Sequence, residues 1–209
     1  RLVLFRSAGD ADGVHKGVHT AILSAAVSGL AMIFIGILLS RPMLEWMGTP
    51  ANIIDQATLY IRIFFLGMPA LLLYNFGAAI LRAVGDTRRP LYFLIIAGVV
   101  NVLFNLFFVI VFHMGVAGVA IATVISQYIS ATLILICLTN NEGVCRLMPK
   151  ELRIHKEQLA EILRIGLPAG LQGVIFNISN VLIQSSVNSF GSVVVAGNTA
   201  ASNIEGFVY

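Results

Sequence analysis

The chain has 209 residues and a formal net charge of +3, with 58% hydrophobic residues and only 11% charged residues. Soluble domains carry about 25% charged residues, so this chain has too little polar surface to face water on all sides. The composition excludes a soluble enzyme, a secreted disulfide scaffold and a disordered tail. We expect much of the surface to face lipid.

Five segments are long and apolar enough to cross a bilayer, which requires about 20 apolar residues per helix. A sixth segment begins near residue 193 and contains Glu205, and residues 2–5 look like the end of an earlier helix. Because the sequence also has no initiator Met and no signal peptide, we interpret it as part of a longer protein. The predicted fold class is an all-α, polytopic transmembrane helix bundle that is truncated at both ends. The five predicted spans are residues 21–39, 57–81, 91–112, 116–138 and 165–187.

The basic residues predict how these segments are oriented. If the segments alternate in direction, all of the 13 Lys and Arg residues except Arg41 and Arg62 fall on one side. That side is expected to be cytoplasmic, so loops 82–90 and 139–164 are predicted to be cytoplasmic in a multi-pass protein of the plasma or inner membrane. The charge is spread over several loops, which argues against a nucleic-acid partner. Residues 151–165 place Leu and Ile at helical spacing among charged residues, which predicts an amphipathic helix on the membrane surface.

Polar side chains share one face in each of three successive predicted spans. Lipid offers no hydrogen bonds, so such side chains are expected to face other helices or a water-lined cavity. Both interpretations remain open: aligned amides join helices, but three stripes of them are more than packing requires. The stripes contain Asn101 and Asn105, then Thr123, Ser126, Gln127 and Ser130, then Asn177, Asn180, Gln184 and Asn188, with Gln172 slightly off the last stripe. Our candidates for a substrate cavity are Gln127, Gln172, Asn177, Asn180 and Gln184.

Glu205 is the only acidic residue well inside a predicted span. An ionised carboxylate near the middle of a bilayer is costly, and such groups are usually functional. Glu205 is therefore a candidate proton carrier or cation ligand. The alternative is that the helix boundary lies elsewhere and that Glu205 sits near an interface.

Motifs for catalysis and for metal binding are incomplete. His15 and His19 have the i, i+4 spacing of a helical metal site, but the neighbouring sequence offers no third ligand. The sequence shows no glycine-rich phosphate loop and no Ser–His–acid arrangement. We predict no enzymatic activity, no resident metal and no cofactor.

One loop and several shorter pieces resemble a known family. Residues 81–90, LRAVGDTRRP, resemble the signature loop of MATE (multidrug and toxic compound extrusion) transporters. The resemblance runs in the right order along essentially the whole chain. Its other parts are residues 8–10 with 18–19, residues 101–105, residues 115–123, and residues 166–169, GLPA, with Gln172.

The resemblance implies that the spans correspond to helices three to seven and part of helix eight out of twelve. Residues 1–138 would then belong to an N-terminal six-helix lobe, residues 139–164 to a cytoplasmic linker, and residues 165–209 to the start of a C-terminal lobe. It also implies alternating-access export of drug-like, often cationic compounds in exchange for Na⁺ or H⁺, by a protein that we expect to be a monomer in the lipid bilayer. The coupling ion would be the only cofactor.

The resemblance also suggests where the coupling ion binds. The family's N-lobe cation site corresponds here to Asn101, Asn105 and Thr123, and Asn105 stands where an acid is common. This lobe would therefore supply less negative charge to a cation. The alternative function is a lipid-linked oligosaccharide or polysaccharide flippase of related architecture, but the spans lack the basic cluster that a pyrophosphate group requires. A membrane-embedded enzyme would need convergent acids or histidines, and Glu205 has no such companions.

Overall fold

A computed structural model describes residues 11–46, 53–141, 145–188, 197 and 201. These residues form α-helices and short helical turns, with no strand among them, so the predicted all-α fold class is confirmed. A π-helical turn, Phe107–Val111, continues α4, and a 3₁₀ turn, Pro149–Glu151, precedes α6. The α-helices are α1 Ala11–Trp46, α2 Ile54–Leu66, α3 Met68–Ala83, α4 Arg88–Leu106, α5 Gly115–Thr139 and α6 Lys156–Asn188.

The described helices match the predicted spans in number. Four of them are long and apolar enough to cross a membrane, and there are five if the bent pair α2–α3 counts as one span. Their bounds differ from the prediction, most of all in α1, which has 36 residues. At about 1.5 Å per residue, such a helix is longer than the hydrocarbon core of roughly 30 Å, so its ends extend beyond the apolar stretch that the sequence marks.

The second predicted span is broken in the middle. Helices α2 and α3 meet at Gly67 with a bend of 43°. Pro69 lies in the first turn of α3 and has no backbone N–H, so the hydrogen bond that would continue α2 into α3 at this position is missing. Leu71 N–H then bonds the Gly67 carbonyl at 3.0 Å and restarts the helical pattern. The second predicted span is therefore two helices joined at a sharp bend.

Small residues allow the helices up to α5 to pack closely, as is usual in membrane bundles. A Cβ atom on Gly29 of α1 would lie 2.4 Å from Pro69 Cα, and one on Gly36 would lie 2.0 Å from the Phe65 ring. The core of this bundle lies along α3, which packs against α1 on one side and α5 on another. Its largest fully buried aliphatic side chains are Val14, Val18, Ile80, Leu81, Ile134 and Leu138.

The chain divides into two compact units, Arg1–Leu159 and Ala160–Tyr209, and most of α6 belongs to the second. The prediction of a separate amphipathic helix over residues 151–165 is wrong in its bounds. Residues 152–155 are not helical, and α6 runs without interruption from Lys156 through Pro168 to Asn188. Pro168 removes one hydrogen bond, but the turns on both sides continue the helix. The division of the chain into lobes and linker stays a prediction.

Candidate functional site

Asn101 on α4 joins this helix to α5 through two hydroxyl groups. Its side-chain amide donates hydrogen bonds to Thr123 Oγ1 at 3.4 Å and to Ser126 Oγ at 3.3 Å. Each hydroxyl donates its own hydrogen to a backbone carbonyl of α5, Thr123 to that of Val119 and Ser126 to that of Thr123. The hydroxyl oxygens are therefore free to accept hydrogen bonds from Asn101. The polar stripes predicted on these two helices therefore face each other.

Asn105, one turn further along α4, extends this arrangement. Its Nδ2 donates to Asn101 Oδ1 at 3.0 Å, so hydrogen bonds run from Asn105 through Asn101 to the hydroxyls of α5. Asn105 Oδ1 is buried and has no hydrogen-bond partner in the described part of the chain. A buried oxygen in that state costs about 1–3 kcal/mol. We call Asn101, Asn105, Thr123 and Ser126 the polar network. It ends at Asn105 Oδ1, an oxygen that can accept a hydrogen bond or contact a cation.

The polar network is electrically neutral. Its side chains are amides and hydroxyls, which remain uncharged at any physiological pH. Asn105 occupies the place where the family resemblance leads one to expect an acid. Any cation held here by these residues would interact with oxygen dipoles, while a compensating negative charge would have to come from other parts of the protein.

Gln127 lies at the helix break. Its Oε1 atom is buried without a hydrogen-bond partner among the described residues, and a Cβ on Gly67 would lie 2.0 Å from it. The next residue, Tyr128, donates its hydroxyl hydrogen to the Leu66 carbonyl at 3.0 Å. Two successive residues of α5 thus contact the junction of α2 and α3. The sequence predicted Gln127 only as a cavity residue. It gave no sign of the role of Tyr128, because no pattern in the sequence links its hydroxyl to the Leu66 carbonyl.

The remaining candidates fall in or beyond α6. The side chains of Gln172, Asn177 and Asn180 are exposed in the second unit. Gln184 is part of α6, but its side chain lies outside the described residues, as does the whole of Glu205. The roles proposed for these five residues stay predictions.

The signature-like loop at residues 81–90 turns the chain from α3 into α4. Gly85 has φ +89°, in the left-handed region that favours glycine, and Asp86 N–H bonds the Leu81 carbonyl at 2.9 Å to close α3. Asp86 Oδ1 then accepts the Arg89 backbone N–H at 3.2 Å, and Oδ2 lies 3.2 Å from Arg89 Nε. The loop motif therefore has a local structural explanation, because it ends α3 and binds the first turn of α4 through the Asp86 carboxylate.

Sequence reasoning missed a docking contact on α1. His19 and Thr20 are fully buried. His19 Nε2 accepts the Met148 backbone N–H at 3.0 Å, and Nδ1 lies 2.8 Å from the His15 carbonyl. Thr20 Oγ1 accepts the His155 backbone N–H at 3.2 Å. His19 and Thr20 together hold residues 145–155, which we call the docked segment, against α1. The only hint in the sequence is a pair of polar residues directly before an apolar stretch.

The described helices, with the polar network between α4 and α5, have the architecture of a polytopic membrane helix bundle. The structure matches a MOP superfamily transporter from Pyrococcus furiosus with a TM-score of 0.88, at 22% identity, over 98% of this chain and 46% of that one. It matches the outward-facing conformation of a multidrug resistance MATE family transporter with a TM-score of 0.87, at 22% identity, over 97% of this chain and 46% of that one. These likenesses establish the fold.

Sequence comparison establishes the family. The MatE family profile matches residues 7–107. The probable multidrug resistance protein YpnP of Bacillus subtilis is 36% identical over 198 residues, which cover 92% of this chain and 44% of that protein. The chain belongs to the MATE family. It spans less than half the length of this relative.

Proposed function

We propose that the complete protein is a secondary active exporter of drug-like, often cationic compounds. The proposal rests on family membership, on the multidrug resistance named for YpnP, and on one observation in this chain, the polar network between α4 and α5. Buried polar groups in a membrane bundle usually mark an ion or substrate pathway. Substrate and coupling-ion sites of transporters with repeated halves usually lie near the middle of the bilayer.

The polar network offers a means of coupling export to an inward flow of Na⁺ or H⁺. An ion shifts the balance between inward-open and outward-open states only by binding one of them more tightly. A buried oxygen without a donor, such as Asn105 Oδ1, gains more from a cation or an acidic hydrogen when water is excluded than when water is present. In this proposal Asn101, which is itself bonded to Thr123, holds the amide of Asn105 in place, and Glu205 remains a candidate proton carrier or cation ligand.

The substrate cavity would be lined by amide side chains. Our candidates remain Gln127 in the first unit and Gln172, Asn177, Asn180 and Gln184 on α6. A flippase for lipid-linked oligosaccharides is less well supported, because the polar network contains no basic residue to hold a pyrophosphate. We propose further that the complete protein is a monomer in the cell membrane, with loops 82–90 and 139–164 in the cytoplasm.

Transport by the complete protein in proteoliposomes tests this proposal. Ethidium movement would be followed by fluorescence while a Na⁺ gradient and an H⁺ gradient are imposed separately. We expect one of these gradients to drive ethidium transport, and Asn101→Ala to reduce the driven rate at least about tenfold, since each 1.4 kcal/mol lost from ion binding is a factor of ten.

The matched control is Asn75→Ala. Asn75 is an exposed amide that donates to the Leu71 carbonyl of its own helix, so its loss should leave transport unchanged. Absence of dye movement under both gradients, with the protein shown to be inserted, would contradict drug export. Equal driven rates for the two variants would remove the polar network from the coupling mechanism.

A further inference from the structure

Three potential metal ligands meet where the segment after α5 docks on α1. One ligand atom each from His15, His19 and Glu151 lies within 4.8 Å of the other two. The histidines are one turn apart on α1, and Glu151 ends the 3₁₀ turn Pro149–Glu151. The sequence offered no third ligand because Glu151 lies far along the chain, and only the docking of this segment brings it to the histidines.

The spacing of His15 and Glu151 suits two ligands of one metal ion better than a hydrogen bond. His15 Nε2 lies 3.3 Å from Glu151 Oε2, yet this buried nitrogen has no hydrogen-bond partner in the described structure. Bonds from Zn²⁺ to nitrogen and oxygen are about 2.0–2.2 Å, so neighbouring ligands of a tetrahedral site are about 3.3 Å apart. In that geometry the oxygen lies to one side of the nitrogen lone pair, which explains a close contact without alignment.

Met148 connects the third ligand to this pair. Its N–H bonds His19 Nε2 at 3.0 Å, and its carbonyl accepts the Glu151 N–H at 2.9 Å. If His19 Nε2 binds a metal ion, it no longer accepts the hydrogen bond from the Met148 N–H. Because His19 Nδ1 donates to the His15 carbonyl, the neutral ring already presents an unprotonated Nε2, the form that binds metal.

Two charged side chains bear on cation binding, one within the cluster and one on α1 beside it. Glu151 supplies one negative charge to the cluster itself. Lys16, the cationic neighbour on α1, has its ammonium group paired with the Asp12 carboxylate one turn earlier. The His15 and Glu151 side chains are 29% and 54% exposed, so an ion has a path from solvent.

We propose that His15, His19 and Glu151 bind one divalent transition-metal ion, with Zn²⁺ as the best fit to two imidazoles and a carboxylate. A water molecule would complete the tetrahedron, as is common in open zinc sites. The ion ties the docked segment at Met148–Glu151 to α1 and so stabilises that contact. This site is independent of the proposed drug export, because none of its residues belongs to the polar network.

Zinc titration of the complete, chelator-treated protein in detergent tests the proposal. We expect wild-type protein to bind zinc, measured by isothermal calorimetry and elemental analysis, and His15→Ala and Glu151→Gln each to weaken this binding at least about tenfold. His113→Ala, which removes an exposed imidazole from the turn before α5, serves as the control and should bind zinc as the wild type does. Glu151→Gln keeps the size of the side chain, so the fold is expected to survive.

Hydrogen exchange gives a second readout that does not depend on transport. Zinc should slow exchange in residues 145–155 as a whole while it speeds exchange of the Met148 amide, which loses His19 as its acceptor. Absence of zinc binding, or equal zinc affinity in wild type, His15→Ala and Glu151→Gln, would overturn the proposal. Unchanged exchange at Met148 on zinc binding would also overturn it, because His19 would not be a ligand.

Discussion

At the residue scale, the hydroxyls of the polar network donate their own hydrogens to carbonyls of the helix that carries them. Thr123 and Thr132 both donate to the carbonyl four residues earlier in α5, at 2.9 Å and 2.7 Å. Only Thr123 also accepts a hydrogen bond from Asn101 of α4. The same side chain on the same helix therefore has an intrahelical role at one position and an interhelical role at the other.

This difference predicts unequal effects of the same substitution. Thr123→Val should destabilise the bundle by about 1–2 kcal/mol, because it leaves an amide hydrogen of Asn101 without its acceptor. Thr132→Val, on an exposed position, should change stability by less than about 0.5 kcal/mol. Melting temperatures of the two variants in the same detergent provide the comparison. Equal melting temperatures would mean that the Asn101–Thr123 contact contributes no net stability.

At the scale of helices, glycine decides how closely α1 approaches the broken pair α2–α3. A Cβ on Gly29 would lie 2.4 Å from the backbone Cα of Pro69, an atom that cannot move aside as a flexible side chain can. The break itself is supported from the other side, where Tyr128 bonds the Leu66 carbonyl. The bend is thus enclosed between two helices rather than held by its proline alone.

We predict that Gly29→Ala lowers stability although alanine is the better helix former. Forcing the extra methyl group against Pro69 should cost about 1–3 kcal/mol. Gly98→Ala on α4 is the control, since nothing lies within 4 Å of a Cβ at that position. Its melting temperature should stay the same or rise, because alanine is favoured over glycine in a helix by up to about 1 kcal/mol. A Gly29→Ala protein as stable as Gly98→Ala would show that α1 can shift away from Pro69 without cost.

At the scale of the whole first unit, the docked segment links the end of α5 to the start of α1. Leu147 N–H bonds the Leu138 carbonyl at 3.0 Å, and Cys145 and Leu147 are buried. Thr20 then holds the segment at His155. This contact fixes where the chain leaves the first unit.

The docking contact can be measured through Cys145, which is only 3% exposed. Thr20→Val removes the acceptor of the His155 N–H, which should weaken docking by about 1–2 kcal/mol and speed maleimide labelling of Cys145 about 5- to 30-fold. Ser24→Ala removes a hydroxyl that bonds the Thr20 carbonyl within α1, and should leave the rate nearly unchanged. Labelling would be assigned to Cys145 by mass spectrometry. Equal rates in the two variants would mean that Thr20 does not hold the segment.

Much of the fold follows from patterns that neighbouring residues carry. Apolar stretches predict the number of spans, and period-3.6 spacing places Asn101 and Asn105 on one face of α4 and Thr123 and Ser126 on one face of α5. Because lipid cannot satisfy these side chains, they turn toward each other, as observed. The bounds of the helices were harder to predict, since α1 and α6 continue into polar sequence, where apolar content no longer marks the end of a helix.

By itself, the sequence determined that this is an apolar helix bundle that resembles the MATE family, with amides on one face of α4 and hydroxyls on one face of α5. Tertiary structure alone decided which distant groups meet: Tyr128 with the carbonyl at the helix break, Gln127 with Gly67, and Glu151 with His15 and His19. The physical reason is that helix periodicity orders residues only within a few turns. Contacts between segments depend on how the chain folds back, and a hydrogen-bond partner far along the chain leaves no spacing pattern to read.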